Sequence, residues 1–218
     1  MVTTRSASKA ASSPPPSTKS PSIRPWTHTP SHLTLLWFAI SLPLVIWDSG
    51  YVLLRPLTME GGSLHWPLYV PYKLYGEVDH VYGWKAFRAK SGFTSAQGLL
   101  NVVETGMYFV YLYVYFTAGK RQSGVSTKTL SGRSAAVALL FAFSAAVMTL
   151  SKTVLYWLQE YYSGFDNIGH NKFGDLVLLW IIPNGLWIVF PTYMVYVMGS
   201  EIIEGLATAS TGAAIKSE

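Results

Sequence analysis

Two carboxylates, a lysine and a carboxamide stand inside four long apolar runs of this chain: Asp48, Glu104, Lys152 and Asn184. An ionisable group within such a run costs several kcal/mol unless it faces a protein interior or a wet cavity, so position alone makes each a functional candidate. Lys152 can neutralise one of the two acids. The other is then free to carry a proton, and a carboxylic acid in an apolar pocket is a competent proton donor. A plainer role stands beside this one. Polar contacts between membrane helices, worth roughly 0.6 to 2 kcal/mol, would let Lys152 and Glu104 simply tie the helices together.

Aromatic residues recur at helical spacing from these groups. Tyr108 and Tyr111 lie four and seven residues after Glu104, Tyr156 lies four after Lys152, and Trp187 lies three after Asn184. Such positions share a helical face. They could line a cavity for a large apolar ligand, and aromatic faces attract a carbocation or a protonated amine. Membrane-protein interiors are rich in Trp and Tyr in any case.

The elements that must position these groups are four spans, over roughly 33–54, 98–118, 134–158 and 174–199. About 20 apolar residues cross a bilayer core. Composition agrees: of 218 residues, 50% are hydrophobic and only 12% charged, the profile of a membrane domain. If the spans alternate in direction, all four polar residues fall about 9 to 15 Å below the same membrane surface, at 1.5 Å per residue. The chain is therefore expected to be an all-α integral membrane protein. A Ser/Pro-rich disordered tail (1–28) would precede a four-helix bundle (29–200), and a C-terminal tail (201–218) would follow it. Basic residues in the first tail and at 120–133 favour cytosolic termini. Loops 56–97 and 159–173 would then face the lumen, and the bilayer itself would be the first partner.

Several chemistries are excluded. The chain has no cysteine, hence no disulfide, thiol nucleophile or cysteine metal site. Its net charge of +5 is scattered over loops and flanks, which argues against nucleic acid as a partner. No HExxH, glycine-rich phosphate loop or Gly-x-Ser-x-Gly elbow occurs. The second lumen-side loop offers one histidine, His170, with Asp166 and Asp175, too few convergent ligands for a metal. The first is longer and tyrosine-rich. It is expected to fold back as a cap on turns set by Pro56, Pro67 and Pro71, with His65, Asp79 and His80 as its candidate functional groups.

The segment 154–191, with Gly-Phe, Gly-His and then Asn184, Leu186, Trp187 and Pro191, resembles the last part of emopamil-binding proteins, the sterol Δ8–Δ7 isomerases. Asn101-Val-Val-Glu104-Thr105, Leu74-Tyr75 with Asp79 and Tyr82, and Asp48 in WDSGYVLL resemble further segments of that family and of the wider EXPERA superfamily, which includes sigma-two receptors. The resemblance covers about residues 33 to 200. It implies that Glu104 is an acid/base and Asp48 a proton-transfer carboxylate. Asn184 and Trp187 would contact ligand, with Thr105 a hydrogen-bonding neighbour. One departure stands out: where sterol isomerases carry a histidine one turn before the first acid, this chain has Leu44.

Together these readings give an expectation. The protein is a multi-pass endoplasmic reticulum protein, an isomerase or cyclase acting on a sterol or terpenoid alkene. It needs no cofactor or metal, since the net change is a proton shift. Glu104, Asp48 and His65 would handle protons. Asn184, Trp187, Thr105, Tyr108, Tyr111, Lys152 and Asp79 would bind substrate. The alternative is a non-catalytic sterol- or amphiphile-binding protein, and a homodimer is left open.

Overall fold

A computed structural model describes residues 26–216. In chain order the elements are β1 (Thr27–His28), α1 (His32–Leu53), α2 (Pro71–Val78), α3 (Trp84–Arg88), α4 (Phe93–Ala118), β2 (Lys120–Arg121), β3 (Lys128–Ser131), α5 (Gly132–Tyr162), α6 (Phe173–Leu176), a π-helical turn (Val177–Ile181) and α7 (Ile182–Lys216). Four helical stretches are long and apolar enough to cross a membrane: His32–Leu53, Phe93–Ala118, Gly132–Tyr162 and Phe173–Ser210.

The four pack in the order α1, α4, α5, α7. Small side chains explain the central place of α5: Ala135, Ala138, Ala142, Ala145 and Ala146 are all fully buried, so neighbouring backbones approach closely. Trp37, Phe38, Tyr111, Met194 and Met198 fill the half of the bundle nearest the sheet. Ser31 starts α1 by accepting the Thr34 amide at 3.0 Å. Outward faces remain apolar, as lipid contact requires; Leu36, Ile40, Leu99 and Leu140 are all exposed.

Three features depart from the expected outline. A small antiparallel sheet in the order β1-β3-β2 joins the helices at one end. It forms because β3, with Thr129 and Leu130 buried, finds a short partner strand on each edge. Of the tail expected over 1–28, residues 1–25 lie outside the described residues, but Thr27 and His28 are strand. His28 is buried, with Nδ1 2.6 Å from Glu201 Oε2 and Nε2 2.9 Å from the Tyr111 hydroxyl. Residues 201–216, expected as a tail, continue α7 as helix, in keeping with the helix-forming Leu and Ala of that segment.

At the other end the segment between α1 and α4 folds back as a cap. The indole of Trp47 donates to the Leu68 carbonyl at 3.0 Å, and the Tyr51 hydroxyl donates to the Tyr82 carbonyl at 3.0 Å. Tyr51 and Tyr72 stack with centroids 3.8 Å apart. Gly83 makes the cap possible, because a Cβ there would sit 2.4 Å from the Gly76 carbonyl oxygen. That obstacle is backbone and cannot swing away. Gly83→Ala should therefore cost about 1–3 kcal/mol of overpacking strain, read as a lowered unfolding midpoint in detergent. Because Tyr82 rides on the same turn, ligand affinity should fall with it.

Candidate functional site

Beneath the cap lies a cavity of about 460 Å³, within the roughly 300–1,000 Å³ typical of small-molecule sites. All four spans and the cap contribute. Leu44, Trp47 and Asp48 come from α1, Gln97 and Asn101 from α4, Lys152 and Tyr156 from α5, and Asn184 and Trp187 from α7, with Tyr72, Tyr75 and Tyr82 above. Leu44 is part of this wall.

The polar wall is a continuous chain of hydrogen bonds. Asp48 Oδ2 accepts from Asn101 Nδ2 at 3.2 Å, and Asn101 Oδ1 accepts from the Lys152 ammonium. Lys152 Nζ also donates to Glu104 Oε2 at 2.8 Å, and the Thr149 hydroxyl donates to the same oxygen at 2.7 Å. The Lys152–Glu104 ion pair is nearly dry, with side chains 10% and 4% exposed. Asp48 accepts two further bonds from the cap, from the Tyr72 hydroxyl at 2.9 Å and the Tyr82 hydroxyl at 3.4 Å. Burial first, and then the Asp48 charge, hold both phenols well above the usual tyrosine range, so both remain donors.

Asp48, Lys152, Asn184 and Trp187 thus meet at one cavity, and the common polar layer read from helix depth is present. Glu104 is placed differently. It lines a neighbouring void of about 20 Å³ together with Thr105 and Tyr108, behind Val45 and Trp187, which border both spaces. Its Oε1 is buried without a hydrogen-bond partner. Lys152 therefore stands between Glu104 and any ligand, and Asp48 is the carboxylate on the cavity wall.

Three candidates lie away from the cavity wall. His65 donates to or accepts nothing on the wall; its Nδ1 lies 3.0 Å from the Thr58 carbonyl, where it braces the cap loop. Tyr111 is fully buried near the sheet, bonded to His28. Its spacing from Glu104 is helical as expected, but two turns carry it past the polar layer into the packed half of the bundle. His80 is also elsewhere, stacked on His170 with centroids 4.0 Å apart. Burial and the neighbouring His170 push its pKa below the usual value.

Asp79 is a support beneath the cap rather than part of the cavity wall. It accepts from the Tyr156 hydroxyl, from the Trp180 indole at 2.8 Å and from the Val81 amide at 3.0 Å. Trp180 belongs to the π-helical turn, and its carbonyl accepts the Asn184 side chain at 2.9 Å, which aims that carboxamide into the cavity. Single π turns of this kind recur at functional sites. Burial outweighs the three donated bonds and pushes the Asp79 carboxyl up to about 6. The native state then holds that proton more tightly than the unfolded chain does, with its value of 3.8. The resulting stabilisation, about 3 kcal/mol, is complete below the unfolded value and is lost as pH rises through the folded one. Asp79→Asn should flatten this acid-side slope, measured as unfolding midpoints across a pH series.

In the sequence Asn101, Tyr75 and Tyr82 stand out only as part of the family resemblance, without roles, and Tyr72 does not stand out at all. One signal was available: Gln97, Asn101, Glu104 and Tyr108 repeat at steps of four, three and four, a polar stripe along α4. Comparison with protein-family models, with curated proteins and with solved structures returned no match.

Proposed function

We propose that this protein is a membrane-embedded isomerase that moves a double bond within a sterol or related terpenoid by proton transfer at Asp48. The observation that carries the reading is the juxtaposition of a largely apolar 460 Å³ cavity with the Asp48–Asn101–Lys152–Glu104 chain. Asp48 exchanges the proton with the ligand. Trp187, Trp47 and Leu44 hold a rigid hydrocarbon skeleton, and Asn184 fixes its orientation. Glu104 acts through Lys152, holding the ammonium in place. The resemblance to sterol isomerases supports the same assignment, and a cyclisation begun by the same proton transfer would use the same groups. The protein resides in the endoplasmic reticulum membrane, with both ends of the chain in the cytosol and the cap towards the lumen.

A second reading, a non-catalytic sterol- or amphiphile-binding protein, is favoured by one observation: among the described residues no histidine lines the cavity. Acid–base work must then rest on Asp48, with Lys152 beside it. Product analysis separates the two. Membranes containing the protein, incubated with a Δ8 sterol and ring-ketone analogues, should yield an alkene-shifted product. Saturable binding with no shifted alkene from any of these substrates would overturn the isomerase assignment.

A further inference from the structure

The order of the two proton transfers is written into the charges around the cavity. Every hydrogen bond that Asp48 makes, it accepts: from Tyr72 on Oδ1 and from Tyr82 and Asn101 on Oδ2. Both oxygens are thus occupied as acceptors, the arrangement of a base waiting for a proton. Lys152 is the one Lys or Arg side chain on the cavity wall among the described residues. An ammonium repels a carbocation formed beside it and attracts an oxyanion. Its bonds to Asn101 and Glu104 use two of its three N–H groups, which leaves one for a ligand.

We propose that the substrate is a β,γ-unsaturated ketone on a sterol or terpenoid skeleton, with Asp48 as the base and Lys152 as the group that holds the ketone oxygen. This deepens the isomerase reading and rests on it. Asp48 removes a proton from the carbon between carbonyl and alkene. The electron pair of that C–H bond forms a new carbon–carbon double bond, and the carbonyl π pair moves onto oxygen. The resulting dienolate is held by the Lys152 ammonium. Its far carbon then takes the proton back from the Asp48 carboxyl, the C=O bond re-forms, and the product is the conjugated enone. Composition and oxidation state are unchanged, and no co-reactant is consumed. Pairing a base with a preorganised donor at the developing oxyanion is a general solution for this reaction class.

The geometry explains why Glu104 sits behind Lys152 rather than on the cavity wall. A carboxylate in contact with the dienolate would oppose it. Placed on the far side, Glu104 holds the ammonium in position while leaving one N–H for the ligand.

The test uses the unaltered protein, so folding of a variant does not enter. Purified protein receives either cholest-5-en-3-one, a β,γ-enone, or a Δ8 sterol without a ketone, and the conjugated product of the first is followed by its ultraviolet absorption. The same preparation is titrated with two ligands of one skeleton, a phenolic A-ring steroid that mimics the dienolate and an ammonium steroid that mimics a carbocation. The expected result is conversion of the ketone alone, with the phenol bound at least about 10²-fold tighter than the ammonium analogue, since an intermediate mimic gains affinity on that scale. Conversion of the Δ8 sterol, or tighter binding of the ammonium steroid, overturns the deprotonation-first order while leaving the isomerase reading intact. If neither alkene is converted, both fall.

Discussion

Asp48→Asn should abolish turnover while leaving the cavity able to bind its ligand. The amide keeps the shape of the carboxylate and can still accept from Tyr72, but it cannot take up a proton. General acid–base catalysis by one positioned group contributes about 10²–10⁴-fold, and the rate should fall by that factor. Affinity for a saturated sterol analogue should change little, because Trp187, Leu44 and Asn184 are untouched. Stability should drop by about 1–3 kcal/mol as a charge-assisted hydrogen bond becomes a neutral one. The check is the rate of formation of the alkene-shifted product, set beside equilibrium binding on the same preparation. Undiminished turnover in the variant would remove Asp48 from the chemistry.

The second large effect is on stability and concerns the pair behind the wall. Lys152→Met leaves the Glu104 carboxylate almost dry, with Thr149 as its one remaining donor among the described residues. Removing one member of a buried ion pair typically costs 3–5 kcal/mol, because the other charge stays buried without compensation. Lys152→Met combined with Glu104→Gln removes both charges and should recover at least half of that loss. Unfolding midpoints for the two single variants and the double variant give the coupling energy directly. Additive losses would mean that the two side chains do not depend on one another, and Glu104 would need a different account.

The spans and their shared polar layer were legible in the sequence because both follow from one-dimensional spacing. Apolar length marks a membrane-crossing helix, and 1.5 Å per residue places Asp48, Lys152 and Asn184 at one depth. The same arithmetic did not separate Asp48, on the cavity wall, from Glu104, one side chain behind it. That difference depends on the rotation of α4 about its axis and on Lys152 filling the space between them. The small sheet is not legible because strands of two to four residues carry no clear period, nor is the role of His28, because its partners, Glu201 and Tyr111, are 173 and 83 residues away. His65 stands away from the cavity for a related reason. Its chemistry suited the site, but a cap loop of many turns can point a side chain outward as readily as inward, and here it closes on the Thr58 carbonyl. Tyr72 had no signal of its own among the tyrosines of that loop.

The cap has a dual attachment to the acid below it. Two of the three donors to Asp48 among the described residues, Tyr72 and Tyr82, belong to the roof and not to the membrane-spanning helices. Under the proposed function, roof and base are therefore coupled through two phenols, and a substitution that loosens the cap, such as Gly83→Ala, should act on Asp48 as well as on the fit of the ligand.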